Sequence, residues 1–140
     1  LLGSCTKKIV TPLTAEVNVI NQNKHKTIEL RSIGVGKNKG EAIYDSEKKA
    51  FEILFFRGIP NTYIENPLIG PNETKILAKH QEYFNSFFNN RYKSFIMSTY
   101  ESSPSQKNGG VTSVVNDIKI NTMALKKDLE THNVIRGFGF

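Results

Sequence analysis

The feature that most limits what this chain can become is a run of aromatic rings at helical spacing. Ile76, Leu77, His80, Tyr83, Phe84, Phe87 and Phe88 recur at three- and four-residue steps, and Tyr92 and Phe95 follow closely. Residues at those steps share one face of a helix. So wide an apolar stripe has to be buried, and the chain therefore needs another layer to pack on it. With 9 Phe and 5 Tyr among 140 residues, the core needs no metal or disulfide staple, and general disorder is excluded. The single cysteine excludes an internal disulfide and any four-cysteine zinc site.

Ahead of this run the periodicity is that of strands. Residues 15–20 alternate Val17 and Val19 against Glu16 and Asn18, and 21–26 form a polar turn. Residues 27–35 alternate through Ile28 and Leu30, then slip in phase to Ile33 and Val35, which predicts a bulge or the end of one face. After Gly36 the period becomes helical. Ala42, Ser46 and Ala50 form a small-residue stripe, and Gly58 and Pro60 end the helix. Four Pro or Gly residues make 59–71 a loop, and Asn72 is placed to cap the aromatic helix.

Further along, alternation over 91–100 predicts a strand, 101–110 a hairpin loop, and 111–120 the returning strand. Asn121 is placed to cap a last helix carrying Leu125 and Leu129, Asn133 to end it, and 134–135 to form a short final strand. The order β-β-α-α-β-β-α predicts an α+β fold: an antiparallel sheet with two or three helices on one face.

Candidate chemistry is sparse. The segment 34–40 is spaced G-x-G-x-x-x-G, unlike the dinucleotide fingerprint, and no parallel strand ending in an acid follows. Lys37 and Lys39, with the amides of the helix start, are candidates for holding a small anion. His25, His80 and His132 are too scattered for a metal pair, and no nucleophile elbow occurs, so no catalytic residue, metal or cofactor is expected. Tyr63, Tyr83 and Tyr92 are candidate ligand contacts, in a groove formed by loop 59–71 and any outward-facing rings of 83–95.

Charge and cysteine mark the other end of the chain. Residues 1–40 hold seven basic and two acidic side chains, a net +5, whereas the remaining hundred carry a net +1. The basic residues lie apart from the aromatics, so nucleic acid is not an expected partner. Leu2, Gly3 and Ser4 precede Cys5 in a pattern that resembles the bacterial lipobox, which implies cleavage before Cys5 and acylation of its sulfur. Residues 1–5 are then the remainder of a lipoprotein signal, 6–14 a tether, and 15–140 a single α+β domain. Lys7 and Lys8 fall beside the lipid headgroups.

Three segments, 32–60, 92–120 and 120–135, together resemble the lipoprotein-20-like domains and the N-terminal domain of flagellar-assembly protein T. Gly34, Gly36, Ala42, Ser46 and Ala50 carry the match; loop 59–71 and the aromatic helix depart from it. The resemblance implies an envelope lipoprotein with an α+β domain and no catalytic residues. The expectation is a non-catalytic binding or assembly module on the outer membrane, facing the periplasm and meeting another envelope protein. The alternatives are a periplasmic small-ligand or glycan-binding domain, and an enzyme of unknown class.

Overall fold

The structure, a computed structural model, describes residues 16–136. Its organising contact joins strand β2 (Thr27–Gly36) to helix α1 (Lys39–Phe56). Ile28, Leu30, Ser32 and Gly34 form the inward row of β2, while Ile33 and Val35 point outward, 36% and 46% exposed. The phase slip at Ile33 is therefore not a bulge in β2. The inward row continues with two small residues because the helix lies too close for larger ones. A Cβ on Gly34 would sit 2.0 Å from the Ala42 carbonyl oxygen and 2.4 Å from the Ser46 amide nitrogen. Ala42, Ser46 and Ala50 face it, all buried as the small-residue stripe predicts.

Polar atoms enclosed by this contact are paired. The Ser32 hydroxyl donates to the Ser46 carbonyl at 2.7 Å, and the Asn116 amide donates to Ser46 Oγ at 3.0 Å. The register irregularity lies instead in β1 (Val17–Asn23), between Val19 and Asn21.

Strands β3 (Ile96–Asn108) and β4 (Val111–Asn121) complete an antiparallel sheet of order β1-β2-β4-β3. Cross-strand pairs Ile28–Ile120 and Leu30–Ile118 put buried residues on the helical side. On the opposite face Arg31 and Asp117 stand directly across from each other. The guanidinium donates Nε to Asp117 Oδ1 at 2.8 Å and Nη2 to Oδ2 at 3.0 Å. A one-residue slip would break this fork and move every apolar residue to the wrong face, so both features hold the same register.

The α+β class and antiparallel sheet agree with the sequence expectation, but the helices are more finely divided. The predicted second helix breaks at His80 into α2 (Glu73–Lys79) and α3 (Gln81–Asn89). Asn72 precedes α2 without a side-chain capping bond. Ile76 and Leu77 pack partly buried against the core that α3 enters with Phe84 and Phe87. Residues 91–95 form a 3₁₀ turn (Arg91–Phe95), not a strand, because the i, i+3 spacing of Tyr92 and Phe95 buries both rings.

The predicted loop 101–110 is mostly β3. Pairing with β4 carries the strand to Asn108, leaving Gly109 and Gly110, at φ 61° and 83°, as the turn. Pro104 is tolerated because β3 is an edge strand and its register shifts between Ser103 and Gln106. Residues 134–135 are not a strand either. The Val134 amide returns to the Leu129 carbonyl at 2.9 Å, behind Asn133 at φ 58°, and closes α4 (Thr122–Thr131). Asn121 caps the start of α4, its Oδ1 accepting from the Ala124 amide at 2.9 Å.

Loop 59–71 serves the end of α1. Gly58 turns the chain at φ 77°, and the amides of Leu68 and Ile69 donate to the carbonyls of Leu54 and Phe55 at 2.9 and 3.0 Å. These bonds satisfy acceptors that a helix terminus otherwise leaves open. Phe55 occupies the middle of the aromatic core, its ring centroid 5.2 Å from Phe87, 5.8 Å from Phe84 and 6.1 Å from Phe51.

Candidate functional site

One flank of α1 remains after the sheet and the aromatic core have taken theirs. Tyr44, Lys48 and Glu52 lie along it at four-residue spacing and therefore form a row. Helices α2 and α3 face this row across a groove of about 1250 Å³, with Leu77, Glu82 and Phe88 among its walls. The Tyr44 hydroxyl donates to the Phe88 carbonyl at 2.9 Å and holds α3 beside α1. The Lys48 ammonium lies 5.3 Å from the centroid of the Phe88 ring, a cation–π distance.

Glu52 is half-buried in this groove and, among the described residues, takes no hydrogen bond and no ion pair. Burial pushes its carboxyl above the ordinary 4.5; Lys48 and Lys49 oppose the shift, and Glu73 and Asp45 add to it. A carboxyl raised by folding holds an extra proton in the native state between its unfolded and folded pKa values. Stability therefore falls as pH rises upward from 4.5 through that window. Glu52→Gln is expected to raise the urea midpoint at neutral pH, and the gain should vanish at or below pH 4.5. A midpoint unchanged or lowered at neutral pH would show that Glu52 is stabilised there by a partner.

The candidate residues read from the sequence are distributed elsewhere. At the start of α1, Asn38 Oδ1 accepts from the Glu41 amide at 2.9 Å, and the Lys37 amide donates to Glu41 Oε1 at 3.0 Å. Lys39 Nζ lies 3.3 Å from Glu101 Oε2. The Lys37 and Glu41 amides and the Lys39 ammonium are thus each engaged by the chain's own side chains.

Tyr63 lines a separate hollow of about 1120 Å³ between loop 59–71 and residues 134–136. Its hydroxyl donates to the Thr27 carbonyl at 2.6 Å and lies 2.6 Å from Thr122 Oγ1, and burial raises its pKa. Tyr83 and Tyr92 line neither space. Tyr92 is only 3% exposed, with its ring edge-on to Phe51 and its hydroxyl donating to Glu47 Oε1 at 3.3 Å. Burial pushes its phenol up to about 12. The three tyrosines therefore do not converge on one pocket, and Tyr92 is a core ring because the 3₁₀ turn aims it inward.

Tyr83 belongs to a cluster that sequence spacing does not disclose. Its hydroxyl donates to Asp128 Oδ2 at 2.7 Å, Arg91 pairs with Asp128 Oδ1, and the His132 ring lies 5.2 Å from that of Tyr83. Burial and the neighbouring carboxylate raise the Tyr83 pKa far above its ordinary 10.0. These groups come from α3, the 3₁₀ turn and the end of α4, and their bonds close on one another. The cluster is a tie between elements. Among the described residues no group of His, Cys, Asp and Glu is arranged to hold a metal ion, and no helix is long and apolar enough to cross a membrane. Leu2, Gly3, Ser4 and Cys5, and the tether 6–14, lie outside the described residues.

The chain matches no family model, no curated protein and no solved structure. A functional reading rests accordingly on the groove and on the residues around Cys5.

Proposed function

We propose that this chain is a lipid-anchored module of a bacterial cell envelope that works by binding another envelope component, not by catalysis, and that the α1–α3 groove is its contact surface. The observation that carries the anchor is the Leu2-Gly3-Ser4-Cys5 pattern around the only cysteine. Acyl chains on Cys5 would supply the membrane affinity, at about 0.8 kcal/mol per buried CH₂. Lys7 and Lys8 would add attraction to an anionic leaflet. Thr6-Lys7-Lys8 after the cysteine, with no acid among them, favours the inner leaflet and a domain facing the periplasm.

Cys5 and Glu16 are eleven residues apart, a reach of at most about 40 Å at 3.6 Å per residue. Glu16, the first described residue, has its Oε2 3.5 Å from Lys49 Nζ on α1. Binding is favoured over chemistry because the ionisable clusters around Asp128 and Glu47 are closed on the chain's own groups, while the groove presents a carboxylate and a ring to solvent.

The test is the mass of the protein isolated from a lipoprotein-competent bacterium expressing it behind a complete signal. The expected species begins at Cys5 and carries a diacylglyceryl group, and Cys5→Ser moves the protein from the membrane fraction to the soluble one. An unmodified thiol on a chain that retains Leu2, Gly3 and Ser4 would end the proposal.

A further inference from the structure

We infer that the groove between α1 and α3 receives a basic side chain, lysine or arginine, from an exposed segment of the partner protein. The inference deepens the reading of this groove as the contact surface. Two features of the groove point to a cation. Phe88 already holds an ammonium over its face, that of Lys48 at 5.3 Å, so the ring is oriented for cation–π contact. One turn further along α1, the Glu52 carboxylate is without a hydrogen bond or ion pair among the described residues. A half-buried carboxylate in that state gains from a cation what it lost from water.

The charge balance selects the same ligand. The chain as a whole is +6, yet the groove wall carries two carboxylates, Glu52 and Glu82, against the one ammonium of Lys48. Glu73 of α2 and Asp45 of α1 add negative potential at Glu52, and Lys49 on α1 opposes them. An anionic ligand would meet that carboxylate unpaired.

Shape supplies the rest. Leu77 and Phe88 offer apolar surface for the methylene stem of a long side chain, whose charged head then pairs with Glu52 on the α1 wall. Arginine suits the site better than lysine, since its planar group both stacks on a ring and pairs two donors with one carboxylate.

The experiment uses the full chain produced without acylation and, as probe, an acetylated and amidated tetra-arginine peptide. The expected result in an NMR titration is a set of shifts centred on Tyr44, Lys48, Glu52 and Phe88, with an affinity about tenfold weaker in Glu52→Gln, the loss of one charge-assisted contact. Lys48→Gln should bind the peptide more tightly than the unaltered chain. Binding should also weaken as pH falls and the Glu52 carboxyl takes up its proton.

No shifts, shifts equally strong in Glu52→Gln, or the same shifts from a tetra-glutamate peptide would overturn the inference. So would groove shifts produced without peptide by Lys7→Gln with Lys8→Gln, because the occupant would then be this chain's own segment. The unacylated chain separates the two proposals: peptide binding reports on the groove alone, and the mass at Cys5 reports on the anchor alone.

Discussion

Gly34→Ala is expected to be among the most destabilising single changes available in this chain, costing about 3–5 kcal/mol. Overpacking of a core commonly costs about 1–3 kcal/mol, because neighbouring side chains shift to make room. Here the added methyl would meet backbone atoms, the Ala42 oxygen at 2.0 Å and the Ser46 nitrogen at 2.4 Å. Those atoms cannot move unless α1 lifts from the sheet. Lifting it would also open the bonds from Ser32 to the Ser46 carbonyl and from Asn116 to Ser46 Oγ, leaving enclosed polar atoms unpaired. The readout is the urea midpoint at constant slope. Gly40→Ala is the control, because its Cβ would meet only Asn38 Oδ1 at 3.3 Å. Its midpoint should move by less than about 1 kcal/mol equivalent. If Gly34→Ala were as stable as Gly40→Ala, the close approach of β2 and α1 would be wrong.

The second large effect is expected from Phe55→Ala. Phe55 is fully buried, and its ring approaches those of Phe51, Phe56, Phe84, Phe87 and Phe88. Truncating a buried Phe costs about 3–5 kcal/mol, in part through the cavity left behind. Its neighbours come from α3 and from Phe55's own helix, so the cavity cannot close without moving α3 against α1. Against a total stability of about 5–15 kcal/mol, the loss should lower the melting temperature by roughly 10 °C or more. Phe88→Ala, at a half-buried ring in the groove wall, should cost less than half as much. Equal costs for the two would place the centre of the aromatic core elsewhere.

These two positions differ in how far local sequence discloses them. Ala42, Ser46 and Ala50 at four-residue spacing already imply that one helix lies unusually close to a sheet, and Gly34 is the counterpart on the strand. The helix ends at Gly58 and Asn133 and the cap at Asn121 were likewise legible, because each depends on a single residue's backbone or side-chain chemistry. Segment 91–95 was not. Tyr92 and Phe95 bury equally well at i, i+3 in a tight helical turn, and alternation in so short a stretch does not separate the two conformations. Nor was β3 beyond Tyr100, where Glu101-Ser102-Ser103-Pro104 has turn-like composition. Its conformation comes from hydrogen bonds offered by β4, a partner on the other side of the hairpin.

The candidate site divides in the same way. Tyr44, Lys48 and Glu52 were not singled out in the sequence, because a row of mixed residues on a helix reads as a solvated face. Only the break at His80, which sets α3 beside α1 through the Tyr44–Phe88 bond, encloses it as a groove and half-buries Glu52. The same holds for Asp128, whose partners Tyr83, Arg91 and His132 are brought together by three separate elements.

By itself the sequence determined the α+β class, the paired strands at either end of the helical segment, the small-residue contact and the depth of the aromatic core. Those features follow from period, size and capping, which act over a few residues. Tertiary structure alone decided that β4 lies between β2 and β3, that the aromatic helix is two, and that the tyrosines Tyr63, Tyr83 and Tyr92 stand apart. The burial of a carboxylate and the orientation of a ring are set by the nearest surface of another element. That surface is settled only when the whole core has packed.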